Sequence, residues 1–173
     1  YGAYGMSLTP GFSASRRTLL TRGVIHVTAH VRGGMENGYQ WYRSGRMADK
    51  DQSFNDFIGA AETLIRDGWT SAGNIILHGG SAGGLLVGTT VMRRPELFRG
   101  VIADVPFVDV LETMLDADLP LTPPEWPEWG NPIESMDAKR RLGHLSPTQM
   151  VEKRPYPCIL ATAGLTDPRV TYW

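Results

Sequence analysis

An α/β architecture with a mostly parallel sheet is the fold class this sequence predicts, and three observations carry the prediction. Short apolar runs rich in β-branched residues alternate with stretches of helical periodicity. One run, Ile75-Ile76-Leu77-His78, climbs into the cluster Gly79-Gly80-Ser81-Ala82-Gly83-Gly84, and an apolar small-residue segment leaves it. At 173 residues, 42% hydrophobic and 20% charged, the chain has the length of one domain and enough apolar material for a core. In such sheets, ligands bind at the carboxyl ends of the strands.

Each element follows in order. Tyr1–Thr9 is rich in Gly and Tyr and reads as a loop. Ser13–Thr21 predicts a short helix stopped by Gly23. Val24–Val31 reads as a buried strand and Arg32–Gly38 as a tight loop. Tyr39–Asp51, polar and aromatic, is expected to be irregular. Ser53 is expected to cap a helix in which Phe57, Ala60, Ala61, Leu64 and Ile65 recur at helical spacing until Gly68. Asn74–His78 and Arg99–Pro106 read as strands. Between them a helix is expected from Ala82 to about Arg93, ended by Pro95. Val108–Leu115 reads as helical. Leu119–Pro132 holds five of the chain's twelve prolines and two of its five tryptophans, so it is expected to be a shaped surface loop and not regular structure. Glu134–Leu142 predicts a short polar helix and Pro157–Gly164 the last strand, with Cys158 as a small buried hydrophobe.

With a formal net charge of −1, nothing argues for a nucleic-acid partner or a membrane surface, and neither is expected. No apolar run has spanning length, and no signal peptide is evident. No metal site or cofactor motif stands out: the glycines are followed by no Lys-Ser/Thr pair, and the G-x-G-x-x-G spacing is not met. The first residues include no initiator methionine, and the last carry no capping or tail composition. The expectation is therefore one partial domain over residues 1–173, with a sheet truncated at both ends.

Gly79-Gly80-Ser81-Ala82-Gly83 is the G-x-S-x-G pattern, set between a strand and a helix. A serine on so sharp a turn is held in strained geometry with its Oγ above the sheet, and small neighbours are needed where strand and helix pass close together. The Ala82 N–H, at the helix start, faces the place where an oxyanion would form. This is the nucleophile elbow of α/β-hydrolases, whose acid and histidine follow the serine in chain order. Ser81 is the candidate nucleophile. Asp167, in the loop after the last strand, is the candidate acid, although an Asp before Pro168 also suits a turn. A histidine is expected after Asp167, but the four present are His26, His30, His78 and His144. None has the expected order, so the base is expected beyond Trp173. An esterase or lipase using the same elbow, and a non-catalytic hydrolase-like binding module, are the alternatives.

Several segments together resemble the catalytic domain of the prolyl oligopeptidase family of serine peptidases. They are Tyr1-Gly2-Ala3-Tyr4-Gly5, His30-Val31-Arg32-Gly33-Gly34-Met35-Glu36, Ser53-Phe54-Asn55-Asp56-Phe57, Gly79 to Gly84, Val105-Pro106-Phe107-Val108-Asp109, Glu128-Trp129-Gly130-Asn131-Pro132 and Gly164-Leu165-Thr166-Asp167. The resemblance implies an α/β-hydrolase domain preceded in the parent protein by a β-propeller. It implies a cytoplasmic, cofactor-free enzyme that cuts short peptides after Arg or Lys. It carries the nucleophile onto Ser81, the acid onto Asp167, and the oxyanion donors onto the Ala82 N–H and the Tyr1 hydroxyl, with Tyr4 as the alternative. Substrate-binding carboxylates fall on Glu125 and, nearby, Glu128. The position of the family's second specificity glutamate is Pro127 here, which is a departure. The 173-residue chain by itself is expected to be inactive.

Overall fold

The computed structural model describes all of residues 1–173. The elements are α1 (Ala14–Leu20), α2 (Tyr39–Arg43), α3 (Asp51–Arg66), β1 (Ile75–Gly80), α4 (Ala82–Arg93), β2 (Phe98–Asp104), α5 (Val110–Leu115), α6 (Thr122–Trp129), α7 (Met136–Leu145) and β3 (Cys158–Thr162). The strands form one sheet in the order β1-β2-β3, parallel throughout. Gly80 is in register with Asp104, and Asp104 with Thr162, so three carboxyl ends finish side by side. This is the α/β-hydrolase arrangement of a parallel sheet with helices packed on it.

α4 is the organising helix. Eleven of its residues, Ala82 to Met92, are buried, as befits a helix that is apolar all round. One side joins Phe54, Phe107, Val110, Met114, Trp129, Leu142 and Leu145 in the larger core cluster. The other packs with Leu77, Val101 and Ala103 of the sheet and Ala61 of α3 in the second. The opposite face of the sheet is open: Ile76 is 60% and Leu160 59% exposed.

Five expectations change. Val24–Val31 forms no strand and stays largely exposed apart from Val31, because no segment lies alongside to accept its ladder. Tyr39–Asp51, expected to be irregular, holds α2 and a 3₁₀ turn at Met47–Asp49. Ser53 is not the cap. Lys50 takes that position, and Ser53 lies buried inside α3 with its hydroxyl donating to the Arg32 carbonyl at 2.6 Å. Leu119–Pro132 contains a helix, α6. Pro123 and Pro124 fall in its first turn, where N–H groups have no intrahelical acceptor anyway, and Gly130, at φ 106°, ends it. Cys158 is exposed, because β3 is an edge strand open on both faces.

Candidate active site

Ser81 sits between β1 and α4 at φ 53° and ψ −121°, a backbone conformation that favours glycine. The surrounding chain fixes it there. Its N–H donates to the Asp104 carbonyl at 2.9 Å, and its carbonyl accepts from Phe107 N–H at 3.0 Å and from Gly84 and Leu85 at the start of α4. Two glycines around the elbow, Gly79 and Gly84, are obligatory on packing grounds, whereas a Cβ on Gly83 would meet only Tyr1 at an ordinary 3.6 Å. A Cβ on Gly79 would lie 2.2 Å from the Gly83 carbonyl oxygen, and one on Gly84 would lie 2.5 Å from Pro106 Cα. The Ala82 N–H belongs to the first turn of α4, which has no carbonyl one turn back to occupy it.

Ser81 opens on a cavity of about 380 Å³, walled by Tyr1 and Tyr4, by Phe107 and Met114, by Glu125 of α6, and by Pro168 to Thr171. Tyr1 is half-buried, its ring approaching Gly83 at the start of α4. Tyr4 is held at φ 58°. Its hydroxyl donates to Glu125 Oε2 at 2.8 Å, and Trp129 Nε1 donates to the same oxygen at 3.0 Å. Burial, then the neighbouring Glu125 charge, push the Tyr4 hydroxyl far above the ordinary phenol range, so it stays a donor. One Glu125 oxygen is thereby committed to the protein.

Asp167 directly precedes the Pro168–Thr171 wall of the cavity. Its Oδ1 accepts the N–H groups of Arg169 at 2.8 Å and Val170 at 3.0 Å, and these bonds hold its carboxyl below the usual range. The turn role and the position beside the site therefore coexist. Glu128 is placed elsewhere, which corrects the expectation that it faces substrate. It is 5% exposed, its Oε1 accepts the Tyr4 N–H at 3.1 Å, and its Oε2 accepts the Tyr42 hydroxyl at 2.7 Å. One helical turn carries Glu125 to the cavity and Glu128 into the protein interior.

No histidine lines this cavity. His78 pairs with Asp104 at 2.8 Å on the open face of the sheet, His30 pairs with Glu36 at 3.1 Å, His26 is exposed near Thr28, and His144 is exposed on α7. No cluster of three His, Cys, Asp or Glu side chains is placed to hold a metal ion. Lys50, buried at 2% exposure, carried no sequence signal, since a lone lysine ahead of a helix reads as solvated.

A serine on a strained strand–turn–helix elbow, at the carboxyl end of a parallel sheet and beside a cavity, defines the α/β-hydrolase class. Residues 10–173 match the model of the prolyl oligopeptidase family, and the chain belongs to that family. It is 46% identical over 173 residues to protease 2 of Moraxella lacunata, covering 100% of this chain and 25% of that protein. It is 42% identical to dipeptidyl aminopeptidase BI of Pseudoxanthomonas mexicana, again over all of this chain and 24% of that protein. Among solved structures, oligopeptidase B from Leishmania major superposes with a TM-score of 0.96 at 44% identity, covering 100% of this chain and 24% of that one. Oligopeptidase B from Trypanosoma brucei with covalently bound antipain gives 0.96 at 45%, with the same coverage. The chain thus spans about a quarter of the length of the relatives it matches.

Proposed function

We propose that the full-length protein is a serine oligopeptidase that hydrolyses short peptides after Arg or Lys through a Ser81 acyl-enzyme. The observation that carries this reading is a single cavity lined both by Ser81 and by a carboxylate, Glu125, that Tyr4 and Trp129 hold in place. An immobilised carboxylate with one oxygen free suits the cationic end of a basic side chain.

In this reading Ser81 Oγ attacks the scissile carbonyl while its proton passes to a histidine that Asp167 orients. The oxyanion is met by the Ala82 N–H and the Tyr1 hydroxyl. The histidine returns the proton to the leaving amine, and water then releases the acyl group by the same steps. The four histidines described above are engaged or remote, so the base comes from the remainder of the full-length protein. Residues 1–173 alone should then turn over Arg amides several orders of magnitude more slowly than the whole enzyme.

The test treats the full-length enzyme with a fluorophosphonate and then with peptide amides ending in Arg, Lys, Pro and Ala, a dipeptidyl amide, and a short-chain aryl ester. Labelling at Ser81 together with Arg and Lys amides cleaved at least tenfold faster than the rest is the expected result. Faster ester or Pro cleavage overturns the specificity. An inert Ser81 favours a binding module.

A further inference from the structure

One buried pair of charges takes no part in the steps just described. Lys50 is 2% exposed and Glu128 5%. Burying a lysine and a glutamate is costly unless both are well engaged, so what they engage is informative. The Lys50 ammonium donates to the Gly2 carbonyl, lies 4.6 Å from the centre of the Trp129 ring and is 3.9 Å from Glu128 Oε1. That same Glu128 oxygen accepts the Tyr4 N–H at 3.1 Å, while its second oxygen is tied to the Tyr42 hydroxyl. The pair therefore grips the backbone on both sides of Ala3, itself buried: the carbonyl of Gly2 and the amide of Tyr4. Two further backbone bonds complete the hold: Met6 N–H to the Ala3 carbonyl at 3.1 Å closes the turn, and Gly5 N–H to the Gly33 carbonyl at 2.9 Å ties it to the neighbouring loop. The two side chains projecting from this turn into the Ser81 cavity are Tyr1 and Tyr4.

We propose that Lys50 and Glu128 are positioning residues that hold the Tyr1–Gly5 turn so that the Tyr1 hydroxyl meets the oxyanion formed at Ser81. Charged groups suit this task. Each satisfies a backbone group that burial would otherwise leave unpaired, and together they define its place from opposite sides. The inference rests on the reading of Tyr1 as oxyanion donor given above.

The test is a double-mutant cycle in the full-length enzyme, with Lys50→Met, Glu128→Gln and Tyr1→Phe, singly and combined. The readouts are kcat and KM for an Arg amide, and the affinity for a peptidyl-arginine aldehyde, whose adduct with Ser81 places an oxygen at the oxyanion position. Tyr1→Phe should lower kcat about a hundredfold. Lys50→Met should lower it roughly ten- to a hundredfold with KM within about threefold, and aldehyde affinity should fall in parallel. In the Tyr1→Phe background Lys50→Met should cost less than about threefold, because an effect exerted through one hydroxyl is not lost twice. Equal losses in both backgrounds overturn the proposal. If Lys50→Met fails to fold, Glu128→Gln, which keeps the shape of the side chain, goes through the same cycle, and additive losses there overturn it equally. A Tyr1→Phe enzyme of undiminished kcat overturns instead the assignment of Tyr1, and with it the route by which Lys50 acts.

Discussion

Ser81 holds a backbone conformation that a side chain disfavours by about 1–3 kcal/mol, and the hydrogen bonds to Asp104 and Phe107 keep it there. Ser81→Gly should therefore raise unfolding stability by about 1 kcal/mol while removing all fluorophosphonate labelling, checked by urea denaturation and probe mass shift. Gly79→Ala works the other way: its Cβ would meet the Gly83 carbonyl oxygen at 2.2 Å, and the loss should reach about 3 kcal/mol in the same measurement. Lys50 makes a pH prediction. Burial lowers its pKa from 10.5 to about 8, with the Glu128 charge opposing the shift. Between those two values the unfolded chain binds a proton that the folded chain does not, so this residue's contribution to stability grows as pH rises through 8 and is lost below it. The charged and titratable neighbours are Glu128 and the Tyr42 hydroxyl bonded to it. Lys50→Met should flatten the rise in urea midpoint between pH 7 and 9.5 relative to wild type. Ser81 and Asp167 could be nominated from local sequence patterns, and Glu125 from the family resemblance alone. Lys50 and the buried setting of Glu128 could not, since both depend on partners more than 40 residues away.

Among the elements, α4 was the most legible, because a helix apolar on all faces after a glycine elbow has few alternatives. Leu85 is 1% exposed within the larger cluster, and Leu85→Ala should destabilise by about 3–5 kcal/mol, measured by thermal or urea unfolding. α6 was least legible. Proline content argued for a loop, yet two of its prolines occupy first-turn positions that forgo no bond, and Trp129, 1% exposed, anchors the last turn in the core. Packing outweighed local propensity there, as it generally does for short helices. Ser53 failed as a cap for a related reason. Its hydroxyl has stronger business with the Arg32 carbonyl than with the start of its own helix.

At the scale of the whole molecule, the sheet is covered over β1 and β2 on one face and open on the other, where Ile76 and Leu160 are more than half exposed. Contiguous apolar surface of this kind drives self-association. Residues 1–173 expressed alone should bind a hydrophobic dye and show concentration-dependent light scattering, and Leu160→Lys should reduce both. The parallel order of the strands was legible from alternation of strand and helix, whereas the fate of Val24–Val31 was not, because a strand exists only where a neighbour pairs with it. The peptide units of Ser81 are stitched to the far end of β2, to the Asp104 carbonyl on one side and the Phe107 amide on the other. The pose of Ser81 is thus a property of two strands lying side by side and not of the local turn alone. During refolding, Ser81 should stay silent to an active-site probe until β2 has docked, even if α4 is already helical. The rate at which labelling returns is then a stopwatch for sheet assembly.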